Sequence, residues 1–250
     1  AARQVVVAPL RPANVGVCVD WTPTFAERFA GTPLKSVALT VRGAGGEPVR
    51  GDAMVTRTGV EGGPVYALGV AIRDALDADG RCVIEVDLRP DLGVEQLADR
   101  LTRRRPKDSV STWLRRSTGL DPVAISLLRE SGGGTVHGGG AVPTDARAVA
   151  ELIKGVPVVV TATMPIDRAI SSAGGIAWSE VDDSLMLRRL PGTFVAGEML
   201  DWEAPTGGYL LQASFSTGVA AAHGAVAWLR GSEVVEGART GPARTAERAE

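Results

Sequence analysis

The amino-acid sequence predicts an α/β fold, and three observations carry that prediction. Short aliphatic runs of strand type alternate with segments that begin at helix-capping residues and place apolar side chains on one face. Hydrophobic residues make up 44% of the chain but aromatics only 4%, so the core is built from Ala, Val, Leu and Ile. Glycine is enriched, at 31 of 250 residues, which supplies many turns. The length suffices for one large domain or two modest ones with a sizeable core, and the aliphatic content excludes a wholly disordered chain.

Residues 4–9 read as a buried strand from the Val5-Val6-Val7 run. The alternation in residues 34–41, and residues 51–56 beyond the turn Gly43-Ala44-Gly45-Gly46, predict two further strands, and the three together look like a small antiparallel sheet. Residues 64–76 read as a helix, with Pro64 at its first position behind Gly63. A strand is expected over residues 81–88. Three helices should follow. One over 94–101 aligns Val94, Leu97 and Leu101, one is capped by Ser109, and one is opened by Asp121-Pro122. The segment Ser131 to Gly140 reads as a flexible loop by composition. Thr144 is the expected cap of a helix that ends at Lys154 before Gly155. Residues 156–163 form a strand, 170–178 a glycine-containing strand or turn, and 192–196 a buried strand. A long helix over about 210–228 is apolar or small on every face and is expected to be central and buried. Beyond Gly231 the composition is that of a frayed tail.

With 27 basic and 29 acidic residues the net charge is −2, which gives no electrostatic case for a dedicated nucleic-acid binder. The local run Arg103-Arg104-Arg105-Pro106-Lys107, with Arg115-Arg116, suits either phosphate groups of NADPH or RNA, or a solvated helical surface. Cys18 and Cys82 cannot form a disulfide framework and lack metal-site spacing, so no metal is expected and a reducing, cytoplasmic location fits. The first residues show no signal-peptide pattern. The charge-free stretch 204–229 is long enough to span a bilayer. Its Gln212, His223 and four glycines favour a helix inside a large protein, with no membrane partner. His137 is expected in solvent and His223 packed in the long helix.

Two features point to a cofactor. Phe194-Val195-Ala196-Gly197-Glu198 is an apolar strand ending in glycine and a carboxylate, an arrangement that brings backbone and an acceptor against polyol hydroxyls. Gly207-Gly208-Tyr209 then opens the long helix. Bare amides and the helix dipole at such a start favour a negative or electron-rich ligand atom. Together they suit a flavin, with the acid on the ribityl chain and the helix start near the pyrimidine carbonyl. Glu61-Gly62-Gly63-Pro64 presents a second helix start. It suits a substrate or nicotinamide contact, or a plain strand–turn–helix connection.

The segments Arg168 to Ile176 and Gly197 to Gln212 resemble the C-terminal signature of bacterial NAD(P)/FAD-dependent oxidoreductases of the aminoacetone-oxidase or bile-acid-reductase-like type. Pro12-Ala13-Asn14, Trp21, Phe29-Ala30-Gly31 and Thr56 to Gly63 resemble that family's middle region, and the resemblance spans about residues 5–230. It implies a flavoprotein whose FAD domain, of the two-dinucleotide-binding-fold kind, is interrupted by an inserted α+β domain. Family members begin with a strand–GxGxxG–helix unit for the pyrophosphate, and no GxGxxG occurs in these 250 residues. The chain is therefore expected to hold the inserted domain plus the C-terminal portion of the FAD domain. Residues 1–33 would be a remnant of the FAD domain and linker, 34–163 the inserted substrate-side domain, 164–231 the C-terminal FAD-domain segment, and 232–250 a tail. The resemblance places Gly197 and Glu198 along the ribityl–phosphate part of FAD. It places Gly207, Gly208 and Tyr209 at the isoalloxazine, and Ser171, Ser172, Gly174 and Gly175 near the flavin. It implies NAD(P)H as reductant, hydride transfer through flavin N5, and a small-molecule substrate. No catalytic acid or base is assigned, and Ser171, Ser172 and Tyr209 are the proton-donor candidates. The expected partner is a separate N-terminal FAD-binding half or a second copy of the chain. The alternative is a non-catalytic interaction module descended from the flavoprotein, or one half of a split enzyme.

Overall fold

The computed structural model describes residues 4–131 and 141–239, with side chains described as far as Gly231. Residues 132–140 of the expected glycine loop, with His137, and residues 240–250 of the expected tail lie outside the described residues, whereas residues 232–239, expected as frayed tail, continue the last helix. The fold is mixed α/β, as the alternation of strands and capped helices requires. The chain divides into two compact units, one of residues 12–172 and one of residues 4–11 and 173–239. Both chain crossings fall inside two paired strands, β1 (Val7–Ala13) and β8 (Ser171–Ile176).

The 12–172 unit is built on a closed six-stranded barrel. Its strands are β2 (Val17–Val19), β3 (Pro33–Val41), β4 (Val49–Thr56), β5 (Gly59–Glu61), β6 (Cys82–Asp87) and β7 (Val156–Thr163). They close in the order β2-β5-β4-β3-β6-β7, each pair antiparallel. Of the three strands expected to form a small antiparallel sheet, β3 and β4 pair as a hairpin inside the barrel, whereas the first, β1, pairs with β8 instead. Closure comes from β2, a strand of three residues that pairs Val17 with Val60 on one side and with Thr163 on the other. Alternation follows the pleat: along β6, Cys82, Ile84 and Val86 point inward and are buried. The interior is full of side chains. Trp21, Leu39, Ile84, Leu127 and Val158 enclose a cavity of only about 10 Å³, barely room for one water. The barrel is a packed scaffold with no ligand chamber inside it.

Helices cover the barrel. The segment expected as one helix over 64–76 is two, α2 (Gly63–Ala67) and α3 (Gly69–Asp79), with the break at Leu68. Ahead of them, α1 (Pro23–Phe29) is capped by the Thr22 hydroxyl. Then come α4 (Val94–Leu101), α5 (Val110–Thr118), α6 (Pro122–Glu130) and α7 (Ala146–Lys154). Ser109 caps α5 as expected, its hydroxyl accepting from Thr112 N at 3.2 Å. The cap of α7 is Asp145, one residue after the expected Thr144. Its carboxylate accepts from Ala148 N at 2.8 Å, a charge-assisted bond that a hydroxyl cannot match. Trp113 is 1% exposed and donates its indole N–H to Leu101 O at 3.0 Å, which locks α5 onto α4.

The second unit has less regular structure. Residues 7–11 of β1 run beside residues 173–176 of β8, and an irregular segment follows with isolated bridges Ile176–Leu200, Val181–Leu187 and Met186–Phe194. Polar side chains organise it. The Asp182 carboxylate accepts from Ser184 Oγ, Met186 N and Ser184 N, which stabilises its ionised form and holds its pKa below the usual carboxylate range. Glu180, 4% exposed, pairs with Arg189 at 2.7 Å. Residues 192–196 form only the single bridge at Phe194 and no strand. Val6 and Val7 are exposed, unlike the expected buried run, because β1 has one partner strand and open faces.

The long helix, α8 (Tyr209–Arg239), also differs from the expected buried core element. One face is seated: Ser214, Thr217, Ala221, Gly224 and Trp228 lie against residues 184–197. A Cβ on Gly224 would come within 2.5 Å of Ser184 O, so the backbone approach requires glycine. The opposite face carries Leu211, Phe215, Val219, Val226 and Leu229, all exposed, and His223 is exposed as well. An apolar composition shows that a helix wants burial but not that its partner is at hand. Among the described residues no helix is long and apolar enough to cross a membrane.

Two outcomes test this fold. A Cβ on Gly59 would sit 1.7 Å from Val17 O, in the pairing that closes the barrel. Gly59→Ala should therefore cost stability at the upper end of the roughly 1–3 kcal/mol typical of overpacking, or more, by urea unfolding. Burial pushes the Cys82 thiol from 9.0 up to about 11. The folded state favours the neutral thiol, so this contribution is complete below about pH 9 and is lost as pH rises through about 11. Cys82→Val should flatten the fall in unfolding free energy across that interval.

Candidate functional site

Each expected site residue occupies a defined position, and those of the second unit converge. Gly174 and Gly175 have φ of 89° and 129°, conformations that L side chains rarely adopt. A Cβ on Gly174 would lie 2.2 Å from Pro9 O, and one on Gly175 would lie 2.7 Å from Met199 O. These glycines let β8 lie flat between β1 and the turn that contains Glu198. The same turn is tied to β8 by Asp201 N donating to Ile176 O at 2.9 Å.

Gly197 and Glu198 lie in a short 3-10 turn, Gly197–Met199. Gly197, at φ 64°, packs against Ser214, and its N–H donates to Thr217 Oγ1 at 2.9 Å. That amide is satisfied by α8, and Glu198, the next residue of the turn, is half-buried. Gly207 and Gly208, at φ 100° and 92°, lead into α8 and are exposed. A Cβ on Gly208 would meet nothing, and one on Gly207 would meet only the Tyr209 ring at 3.8 Å. The bond from Gln212 N to Gly208 O opens the helical ladder, so the amides of Tyr209, Leu210 and Leu211 precede it. Ser214, which faces Gly197, lies six residues beyond Gly208, about 9 Å along the helix. A carboxylate-bearing turn and a glycine-led helix start thus share one helix, one turn or two apart.

Ser171, Ser172 and Tyr209 occupy different surroundings. Ser171 belongs to the barrel unit, is 5% exposed, and accepts a hydrogen bond from Asn14 Nδ2 at 2.7 Å. Ser172 is half-buried in the same unit, and Tyr209 is exposed at the start of α8.

The barrel unit holds a polar cluster that motif reading only touched. Glu61 ends β5, Tyr66 lies in α2, and Arg168 lies in the turn after β7. Burial and the Glu61 carboxylate push the Tyr66 phenol above its ordinary range. A hydrogen bond with the Gly62 backbone and the Arg168 charge oppose that rise. Gly16 sits against Met164 and Glu61, where a Cβ would come within 2.8 Å of the Met164 sulfur. The signal for this cluster was the Gly62-Gly63 helix start. Nothing local announced Arg168, because its approach depends on the 14–16 and 164–171 segments pairing through Met164 N–Gly16 O and Ile170 N–Asn14 O.

Comparison with known proteins adds two findings. The profile of the HI0933-like protein barrel and H2TH domain matches residues 11–171, nearly the limits of the barrel unit. The chain is also 26% identical over 227 residues to the 3-dehydro-bile acid delta(4,6)-reductase of Clostridium scindens. The aligned region covers 88% of this chain and 54% of that reductase, so the chain spans about half the length of this curated relative. The barrel with its covering helices, matched over well more than half of the sequence, makes the chain a member of the HI0933-like family.

Proposed function

We propose that the chain is the C-terminal portion of an FAD-dependent, NAD(P)H-linked oxidoreductase acting on a small molecule. The observation that carries the reading is the open, glycine-led start of α8 beside the Glu198 turn. Family membership and the similarity to a reductase support it. Bound FAD would supply a hydride-transfer centre at its N5 atom. The residues present fit the flavin half of FAD. Gly207 and Gly208 carry no side chain that would stand between a ring and the helix start, and the amides of residues 209–211, which precede the helical ladder, would donate to an electron-rich carbonyl edge. Glu198, in the turn whose Gly197 packs against Ser214 of α8, would accept hydrogen bonds from ribityl hydroxyls. No GxGxxG is available here for the pyrophosphate, so that part of FAD would rest on residues other than these 250.

Ser171, Ser172 and Tyr209 remain the proposed proton donors. The exposed phenol of Tyr209 is free to approach a substrate, whereas the Ser171 oxygen is held by Asn14. A partner is part of the reading. The exposed face of α8 formed by Leu211, Phe215, Val219, Val226 and Leu229 would be covered by the segment that supplies the pyrophosphate site. That face also favours a second reading, in which the chain associates with such a segment, or with itself, and holds no flavin. We place the protein in the cytoplasm on the basis of its two free thiols.

Titration of the chain with riboflavin and FMN isolates the flavin half, because neither ligand needs an adenylate site. Saturable quenching of flavin fluorescence is expected. It should weaken about tenfold or more in Gly208→Val, which puts a branched side chain at φ 92°, and several-fold in Glu198→Ala. Absence of quenching would remove the flavin reading. Phe215→Lys with Val219→Lys should abolish any concentration-dependent association seen by size-exclusion chromatography while leaving riboflavin binding in place.

A further inference from the structure

The segment from Asp99 to Arg116 differs in charge from the rest of the chain. It holds six arginines and Lys107 against two carboxylates, Asp99 and Asp108, in a protein of net charge −2. The chain-wide balance that argues against a dedicated nucleic-acid binder averages over this segment. A ligand feels the local field, which decays over a Debye length of about 8 Å.

The fold gathers and stiffens these cations. They occupy the end of α4, the connecting loop, and the last turn of α5. Arg116 donates to Arg103 O at 3.2 Å and pairs with Asp108, while Arg105 N donates to the same Asp108 carboxylate at 3.3 Å. Arg104 lies 4.8 Å over the ring of buried Trp113. The loop is thus strapped to α5 at both ends. Both local carboxylates are already engaged, Asp99 by Arg103 and Asp108 by Arg116. Arg100, Arg105, Lys107 and Arg115 are left exposed, with no ion-pair partner among the described residues. Crowded like charges repel, and an arriving polyanion relieves that repulsion.

Four observations select the occupant. None of the large exposed apolar side chains falls in residues 94–130, so the patch has no anchor for a bilayer. None of these cations lines a described cavity, as a single small phosphate ester would require. Six of the seven are guanidinium groups, whose forked donors match phosphate oxygens. Trp113, the aromatic residue of the segment, is buried, so there is no platform for stacking bases.

We propose that the α4–α5 turn is a docking surface for the phosphate backbone of nucleic acid, read without regard to base sequence. Four unpaired cations set the scale of the interaction. The logarithm of the association constant should fall with the logarithm of salt concentration with a slope of about −3 to −4 on duplex DNA.

The test is fluorescence anisotropy of the full chain with labelled duplexes of DNA and of RNA, at about 50 mM salt and above. Saturable binding to both, indifferent to base sequence, is expected. The variant Arg105→Glu/Lys107→Glu/Arg115→Glu should weaken it about thirtyfold or more and flatten the salt slope. These side chains are exposed, and circular dichroism should show an unchanged fold. Lys35→Glu, a charge reversal at an exposed position on β3, should leave binding unchanged. The proposal is overturned by absence of saturable binding at low salt, by equal weakening in Lys35→Glu, or by preferential binding to phosphatidylserine vesicles.

Discussion

Closure of the barrel rests on three residues. Val17, Cys18 and Val19 are the whole of β2, yet they satisfy the open edges of both β5 and β7. Without β2 the sheet would present two edges with unpaired amides, and its apolar interior would face solvent on one side. The pairing works because Gly59 has no side chain where Val17 O approaches. It is reinforced by Met164 N donating to Gly16 O, which fixes the strand's entry beside the exit of β7. The helices α4 to α7, the buried Trp113 and the filled interior all depend on a surface that exists only once this seam is closed.

The sequence made the local part of this fold legible and left the seam hidden. Helix α4 and strand β7 were delimited correctly, because an aligned set of apolar residues and a β-branched run are local signals. Ser109 was recognisable as a cap for the same reason. β2 and β5, three residues each, are too short to show alternation, and their role is defined wholly by distant partners. The opposite error occurred at α8, where apolar composition was read as burial. Composition reports a demand for a neighbour, and half of that demand is unmet within the described residues.

The candidate site was legible in a similarly divided way. Glycine enrichment marked positions 174, 175, 197, 207 and 208, and all five have positive φ. The physical reasons differ. Three of these glycines relieve contacts within the protein, with Pro9, Met199 and Ser214. Of the five, only Gly207 and Gly208 would give an added Cβ open space or nothing closer than the neighbouring Tyr209 ring. The Glu61, Tyr66 and Arg168 cluster escaped the reading because its members come from three separate elements and no spacing rule links them.

The two faces of α8 have a consequence for how the protein can change. Apart from Trp228, the seated face uses glycine, serine, threonine and alanine, so most of its grip comes from backbone proximity, where a single added methyl group is enough to disturb it. The outer face uses bulky aliphatic and aromatic groups that touch none of that seat. Docking preference can therefore drift, by exchange of one large side chain for another, without disturbing how the helix is held. The same rod serves as a fixed keel on one side and an interchangeable lining on the other.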